Sequence, residues 1–136
     1  MKKDIINKTN AMMGQAMIIR PGRVPRIRYI PLNNEEFEEI VGGDIEVEYA
    51  QEISAAFIFN RDRNLHKLPL NRANVMQDRR GLCCVRGTFI VVGLDDYGDY
   101  AELTEIQQEF FRKHYYVPAK EIVVDGDRQI ILGVPV

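Results

Sequence analysis

Cysteine, histidine and long apolar runs are all scarce in this chain, and each scarcity closes off a class of function. Only two cysteines occur, Cys83 and Cys84, and because they are adjacent they cannot close the long loop that makes a disulfide stabilising. The expectation is reduced thiols in a cytoplasm. His66 and His114 are the only histidines. Neither shares a ligand-like spacing with a cysteine or carboxylate, so no metal site is expected. No run approaches a membrane span, and Met1 to Gln15 lacks the apolar stretch of a signal peptide despite Lys2, Lys3 and Lys8. A cytoplasmic protein with no membrane partner is expected. Phosphate loop, dinucleotide glycine pattern and nucleophile elbow are absent as well. No catalytic residue and no cofactor is therefore assigned, and the expectation is a protein that is not an enzyme.

What is present fits an ordinary globular domain. The 136 residues are 46% hydrophobic and 28% charged, enough for a chain of this size to bury roughly two-thirds of its unfolded surface. Residues 1–15 read as a loosely held lead, with Ile5, Ile6, Met12 and Met13 spaced for one helical stripe. Residues 16–136 read as a single α+β domain that includes a C-terminal hairpin.

Hydrophobic periodicity places the elements. Ala16 to Arg20 and Arg26 to Ile30 read as strands of a hairpin around Pro21-Gly22. Asn33 with Glu36 has capping-box character, Phe37, Ile40 and Val41 form one apolar face, and Gly42-Gly43 stops the helix. Asp44 to Tyr49 alternates, with Ile45, Val47 and Tyr49 expected on the core side and Asp44, Glu46 and Glu48 on the wet side. Ala55 to Asn60 and Thr88 to Leu94 are nearly unbroken apolar runs, which suit central strands covered on both faces. Thr104 with Gln107 opens a second helix that carries Ile106, Phe110, Phe111 and Tyr115 toward the Pro118 break. Glu121 to Val124 and Gln129 to Gly133 flank a turn at Asp125-Gly126. The predicted fold is a mixed, mainly antiparallel sheet with two short helices packed on it.

Between the two central strands, residues 61–86 run longer than a structureless connection normally does. They hold seven basic residues against Asp62 and Asp78, a surplus of +5 in a chain whose net charge is −2. Arginine supplies 12 of the 18 basic residues, and its planar fork recognises phosphate and carboxylate bidentately. Asn71 and Arg72, after Leu68-Pro69-Leu70, form a candidate anion or nucleobase cradle, with Asn60, Arg79 and Arg80 as further contacts. The structural alternative makes Asn71 the cap of a short helix starting near Arg72. Arg26 and Arg28 are read as surface residues paired across strands with Glu46 and Glu48. A calcium loop at Asp95, Asp96 and Asp99 lacks the ligand register, leaving a strand-end turn. The arginines near Cys83-Cys84 are of the kind that lowers a thiol pKa, but with no base placed beside the pair no nucleophile is assigned.

Several of these pieces recur in order: Val41-Gly42-Gly43 with Ile45-Glu46-Val47, Phe57 to Asn60, Leu68-Pro69 with Asn71-Arg72-Ala73, Gly87 to Gly93, and Leu103-Thr104. Over residues 16–107 the chain resembles a domain-of-unknown-function family of small proteins from phages, plasmids and conjugative elements. Where that family often has an acidic residue after the strand-ending Asn60, this chain has Arg61. The resemblance implies an accessory binding protein of a mobile element, of the kind that counters host defence, and supplies no activity. Partners expected on these grounds are an anionic, nucleotide-like small molecule or a host protein. The protein rival uses Glu35, Glu36, Glu38, Glu39, Glu46 and Glu48 against a basic partner. Nucleic acid is disfavoured by the acidic balance, with pI near 5.7, and homo-oligomerisation is left open.

Overall fold

The computed structural model describes residues 12–63, 65, 67–73 and 84–131, with backbone alone at 130 and 131. Arg79, Arg80, Cys83, His66 and most of the N-terminal lead lie outside the described residues. In chain order the elements are β1 (Met13–Ile19), β2 (Arg26–Pro31), α1 (Asn34–Val41), β3 (Ile45–Ala50), a 3-10 turn (Gln51–Ile53) and β4 (Ala55–Asn60). They continue with β5 (Leu70–Arg72), β6 (Val85–Arg86), β7 (Phe89–Leu94), β8 (Tyr100–Ala101), α2 (Glu105–His114), β9 (Lys120–Val124) and β10 (Asp127–Ile131).

The two apolar runs are central, as their composition requires: the main sheet runs β2-β1-β7-β4-β3, with β8 added beside β7. Every position of β4 and β7 is buried. All pairings are antiparallel, so the domain is α+β and dominated by its sheet.

Because side chains alternate across a strand, each face gathers its own core. Ala16, Ile30, Ala56, Ile58, Ile90 and Val92 meet Phe37 and Val41 of α1 on one face. Met17, Ile19, Phe57, Phe59, Phe89 and Val91 meet Phe111 and Tyr115, in and just after α2, on the other. The helices thus lie on opposite sides. Both are capped as expected. Asn33 Oδ1 accepts from Glu36 N at 2.8 Å, left-handed Gly42 closes α1, and Thr104 with Gln107 forms a full capping box.

The structure overturns four sequence expectations. β2 and β3 are opposite edges of the sheet, so Arg26 and Arg28 face Ile18 and Ala16 rather than Glu46 and Glu48. On β3 the glutamates pair instead with Arg63, Nη2 lying 3.2 Å from Glu46 and 2.5 Å from Glu48. That guanidinium rests 4.2 Å above the Phe59 ring, closing the α2 face at this edge, while Tyr49 is exposed. On α2, Phe111 is buried but Ile106 and Phe110 are 83% and 58% exposed. At about 100° per residue Ile106 and Tyr115 fall on roughly opposite sides of the helix, so the two cannot share one contact with the sheet. Finally, Leu70–Arg72 is a strand, so Asn71 caps no helix.

The C-terminal hairpin β9-β10 turns at Asp125-Gly126 and forms its own two-stranded sheet. It is tied to the body by Arg86 Nη2, 2.9 Å from Glu121 Oε1, and by Ala119 N donating to Asn71 O.

Candidate functional site

The sequence directed attention to residues 61–86, and the structure shows what their described basic side chains hold. Arg61 reaches Asp44, Lys67 reaches Asp62, Arg63 reaches Glu46 and Glu48, and Arg86 reaches Glu121. Asn60 donates from Nδ2 to Val41 O at 3.1 Å and accepts from Asp62 N at 2.8 Å, tying β4 to the end of α1.

Asn71 and Arg72 are buried at 0% and 1% exposure, and buried polar groups need partners. Asn71 Nδ2 donates to Ile19 O and Gly87 O, both at 2.8 Å. Arg72 donates from Nε to Tyr115 O at 2.7 Å, from Nη1 to Asn71 Oδ1 at 2.8 Å, and from Nη2 to Arg23 O. Burial lowers the Arg72 pKa to about 10, so the guanidinium keeps its charge at neutral pH. Together the pair clamps three segments: the β1-β2 turn, the strand end at Gly87 and the exit of α2. Two of the accepting carbonyls, Ile19 and Arg23, lie at the end of β1 and in the turn that follows.

That turn presents arginines. Ile18, Arg20, Arg23, Val24, Arg26 and Arg28 line a cleft of about 480 Å³. Register explains the grouping. Ile18 faces Arg26 and Ala16 faces Arg28, and Arg20 follows Ile18 by two, so the strand positions share one face of the sheet. Ala16 belongs to the α1-side core, so the cleft opens on the α1 face. Among the described residues, no ion pair engages any of the four arginines. All four are exposed around a buried Ile18.

Sequence reasoning passed over this cleft because it placed Arg26 and Arg28 opposite carboxylates. A signal was nonetheless present. From Ile5 to Asn34 the chain contains no Asp or Glu while carrying Arg20, Arg23, Arg26 and Arg28, so any hairpin there lacks local counter-charge.

Elsewhere on the same face, Glu35, Glu36, Glu38, Glu39 and Asp44 surround a second recess of about 490 Å³. α1 carries no basic residue in its last turn. Cys84 is a free thiol whose pKa is raised by burial, which outweighs the opposing effect of Arg86. The Asp95 carboxylate accepts from Tyr97 N and Asp99 N, both at 2.9 Å, as a strand-end turn does. Among the described residues no group of three metal-ligating side chains assembles, and no helix is long and apolar enough to cross a membrane.

The chain belongs to the family described as domain of unknown function (DUF3846), whose model matches residues 13–116. The match begins with β1 and ends just after α2, so it takes in the arginine hairpin and both helices and leaves out β9-β10. No curated protein and no solved structure matches the chain.

Proposed function

We propose that this member of the DUF3846 family is a non-enzymatic binding protein that captures a small, phosphate-bearing, nucleotide-like anion in the arginine cleft of its β1-β2 hairpin. The observation that carries the reading is four exposed arginines that, among the described residues, have no carboxylate partner and line one cleft with Ile18 and Val24. Charged groups on a folded surface ordinarily sit among opposite charges, and a cluster of one sign raises the local concentration of counter-ions. Guanidinium forks suit phosphate oxygens, the aliphatic floor suits an apolar or ring portion, and the volume lies in the usual range for a small-molecule site. A guanidinium holds its proton too tightly to act as a base, which favours capture over chemistry.

Asn71 and Arg72 enter this reading as positioning residues, because their hydrogen bonds hold the carbonyls of the turn that carries Arg20 and Arg23. A cytoplasmic role for a phage or mobile-element accessory protein, sequestering a signal used in host defence, is the biological setting that the motif resemblance suggests. The acidic recess on α1 supports a second reading, docking of a basic protein partner, since Glu35, Glu38 and Glu39 are exposed and have no basic neighbour in their own helix.

Calorimetric titration of the full chain with nucleoside phosphates tests the first reading. The wild type is expected to bind, and Arg26→Ala/Arg28→Ala to bind at least about tenfold more weakly, since each charge-assisted hydrogen bond lost contributes roughly 1.5–3 kcal/mol. Equal binding by the double variant would move the site away from the hairpin.

A further inference from the structure

We infer that the cleft is selective for a compact polyanion, a triphosphate-like group, over both a monoanion and an extended nucleic-acid strand. The inference rests on the arginine cleft being the binding site. Its first support is the number and arrangement of charges. Arg26 and Arg28 stand two residues apart on one face of β2, roughly 7 Å along the strand, while Arg20 and Arg23 come from the end of β1 and the turn. The four arginines therefore line the cleft with Ile18 and Val24 from two strands and the turn between them instead of standing in a single row on one strand. One phosphate monoester carries about −1.5 to −2 charges and satisfies two such forks bidentately. Two arginines would stay unmatched, still repelling each other. A chain of phosphates engages all four within one cup.

The second support is what lies beside the cup. α1 packs against β3, β4 and β7, while the cleft lies over β1 and β2, so both occupy the same face of one sheet. Glu35, Glu36, Glu38 and Glu39 stand on that helix, and Asp44 follows it. Glu38 and Glu39 sit in the last turn of α1, where the helix dipole disfavours negative charge. A polyanion that stays within the cup avoids these groups. A nucleic-acid strand long enough to run on from the cleft across the face would meet them, and like charge that is only partly screened at ordinary salt would offset part of what the arginines offer. The overall charge of −2 gives it no compensating long-range attraction.

The experiment is a charge ladder on the full chain at about 150 mM salt. Nucleoside mono-, di- and triphosphates sharing one base are titrated, together with orthophosphate, inorganic tripolyphosphate and a single-stranded oligonucleotide. Affinity is expected to rise at least tenfold from mono- to triphosphate, with the oligonucleotide weaker than the triphosphate. The tripolyphosphate arm separates the two sources of the same chemistry. Retention of full affinity assigns the polyphosphate itself, and a tenfold or greater gain with the nucleoside attached assigns a nucleotide seated on Ile18 and Val24. Replacing the helix carboxylates, Glu35→Gln/Glu36→Gln/Glu38→Gln/Glu39→Gln, should strengthen oligonucleotide binding severalfold and leave triphosphate binding within twofold, after circular dichroism shows the fold intact. Equal affinity along the ladder, or an oligonucleotide that binds tightest, overturns the selectivity while the binding reading stands. Failure of every anion to bind removes that reading and the selectivity with it.

Discussion

Arg72 has a guanidinium in the interior that, among the described residues, has no carboxylate beside it and is held by backbone and amide oxygens. Such a group is costly to bury and costlier to remove, because its acceptors are then left dry and unpaired. Arg72→Ala is expected to destabilise the protein by roughly 2–4 kcal/mol in urea denaturation, and Arg72→Lys to recover little, since an ammonium cannot span Tyr115 O and Arg23 O from one planar fork. Arg61→Ala, with its exposed 3.5 Å pair to Asp44, should change stability by less than about 0.5 kcal/mol. Equal effects from the two would show that the clamp does not hold the hairpin. Nothing in the residue types separates these arginines. Both stand in the same polar stretch of sequence, and only the pairing of β5 with β6, itself dependent on contacts far along the chain, sends one inward. Asn71-Arg72 was therefore legible as a distinctive pair, while its place in the interior was not.

At the scale of elements, caps and apolar runs were readable because their physics is local. Asn33, Thr104 and Gln107 make the hydrogen bonds that their spacing announces. Sheet order was not readable, since a strand carries no mark of which edge it will take, and the mistaken partner for Arg26 and Arg28 followed from that. Three substitutions probe the layers. Ile90→Ala, at 0% exposure in β7, should cost roughly 2–5 kcal/mol. On α2, Phe111→Ala should cost about 3–5 kcal/mol, while Ile106→Ser stays within about 0.5 kcal/mol. The reverse ranking would mean that the helix presents its other face to the sheet. Gly93 is a backbone test: a Cβ there would lie 2.8 Å from Glu102 O and 3.0 Å from Ala101 O, carbonyls of the last residue of β8 and of the one that follows it. Gly93→Ala should therefore cost about 1–3 kcal/mol, and hydrogen exchange should report the loss first in the Gly93–Ala101 pairing. A neutral Gly93→Ala would indicate that β8 is free to move aside.

Over the whole molecule, a net charge of −2 conceals a division between an arginine cup and an acidic helix on one sheet face. Four like charges brought together, with no ion pair among the described residues, oppose folding, and salt screens that opposition. If the cup exists for a ligand, removing part of it should relieve the unliganded protein. Arg26→Gln/Arg28→Gln is accordingly expected to be as stable as the wild type or more so, by up to about 1 kcal/mol at low ionic strength, the magnitude typical of cross-strand charge effects. Added sodium chloride should narrow the difference by raising the wild type more than the variant. Ligand should act the other way, because a molecule that binds only the folded state stabilises it by mass action, about 2.7 kcal/mol at a hundred times its Kd. That gain should appear in the wild type and be largely lost from the double variant. Thermal unfolding at two salt concentrations, with and without triphosphate, reads all of these terms in one set of curves. A double variant less stable than the wild type by more than about 1 kcal/mol at low salt would mean that Arg26 and Arg28 hold the hairpin together, and the cup would then be a piece of the scaffold and not a site.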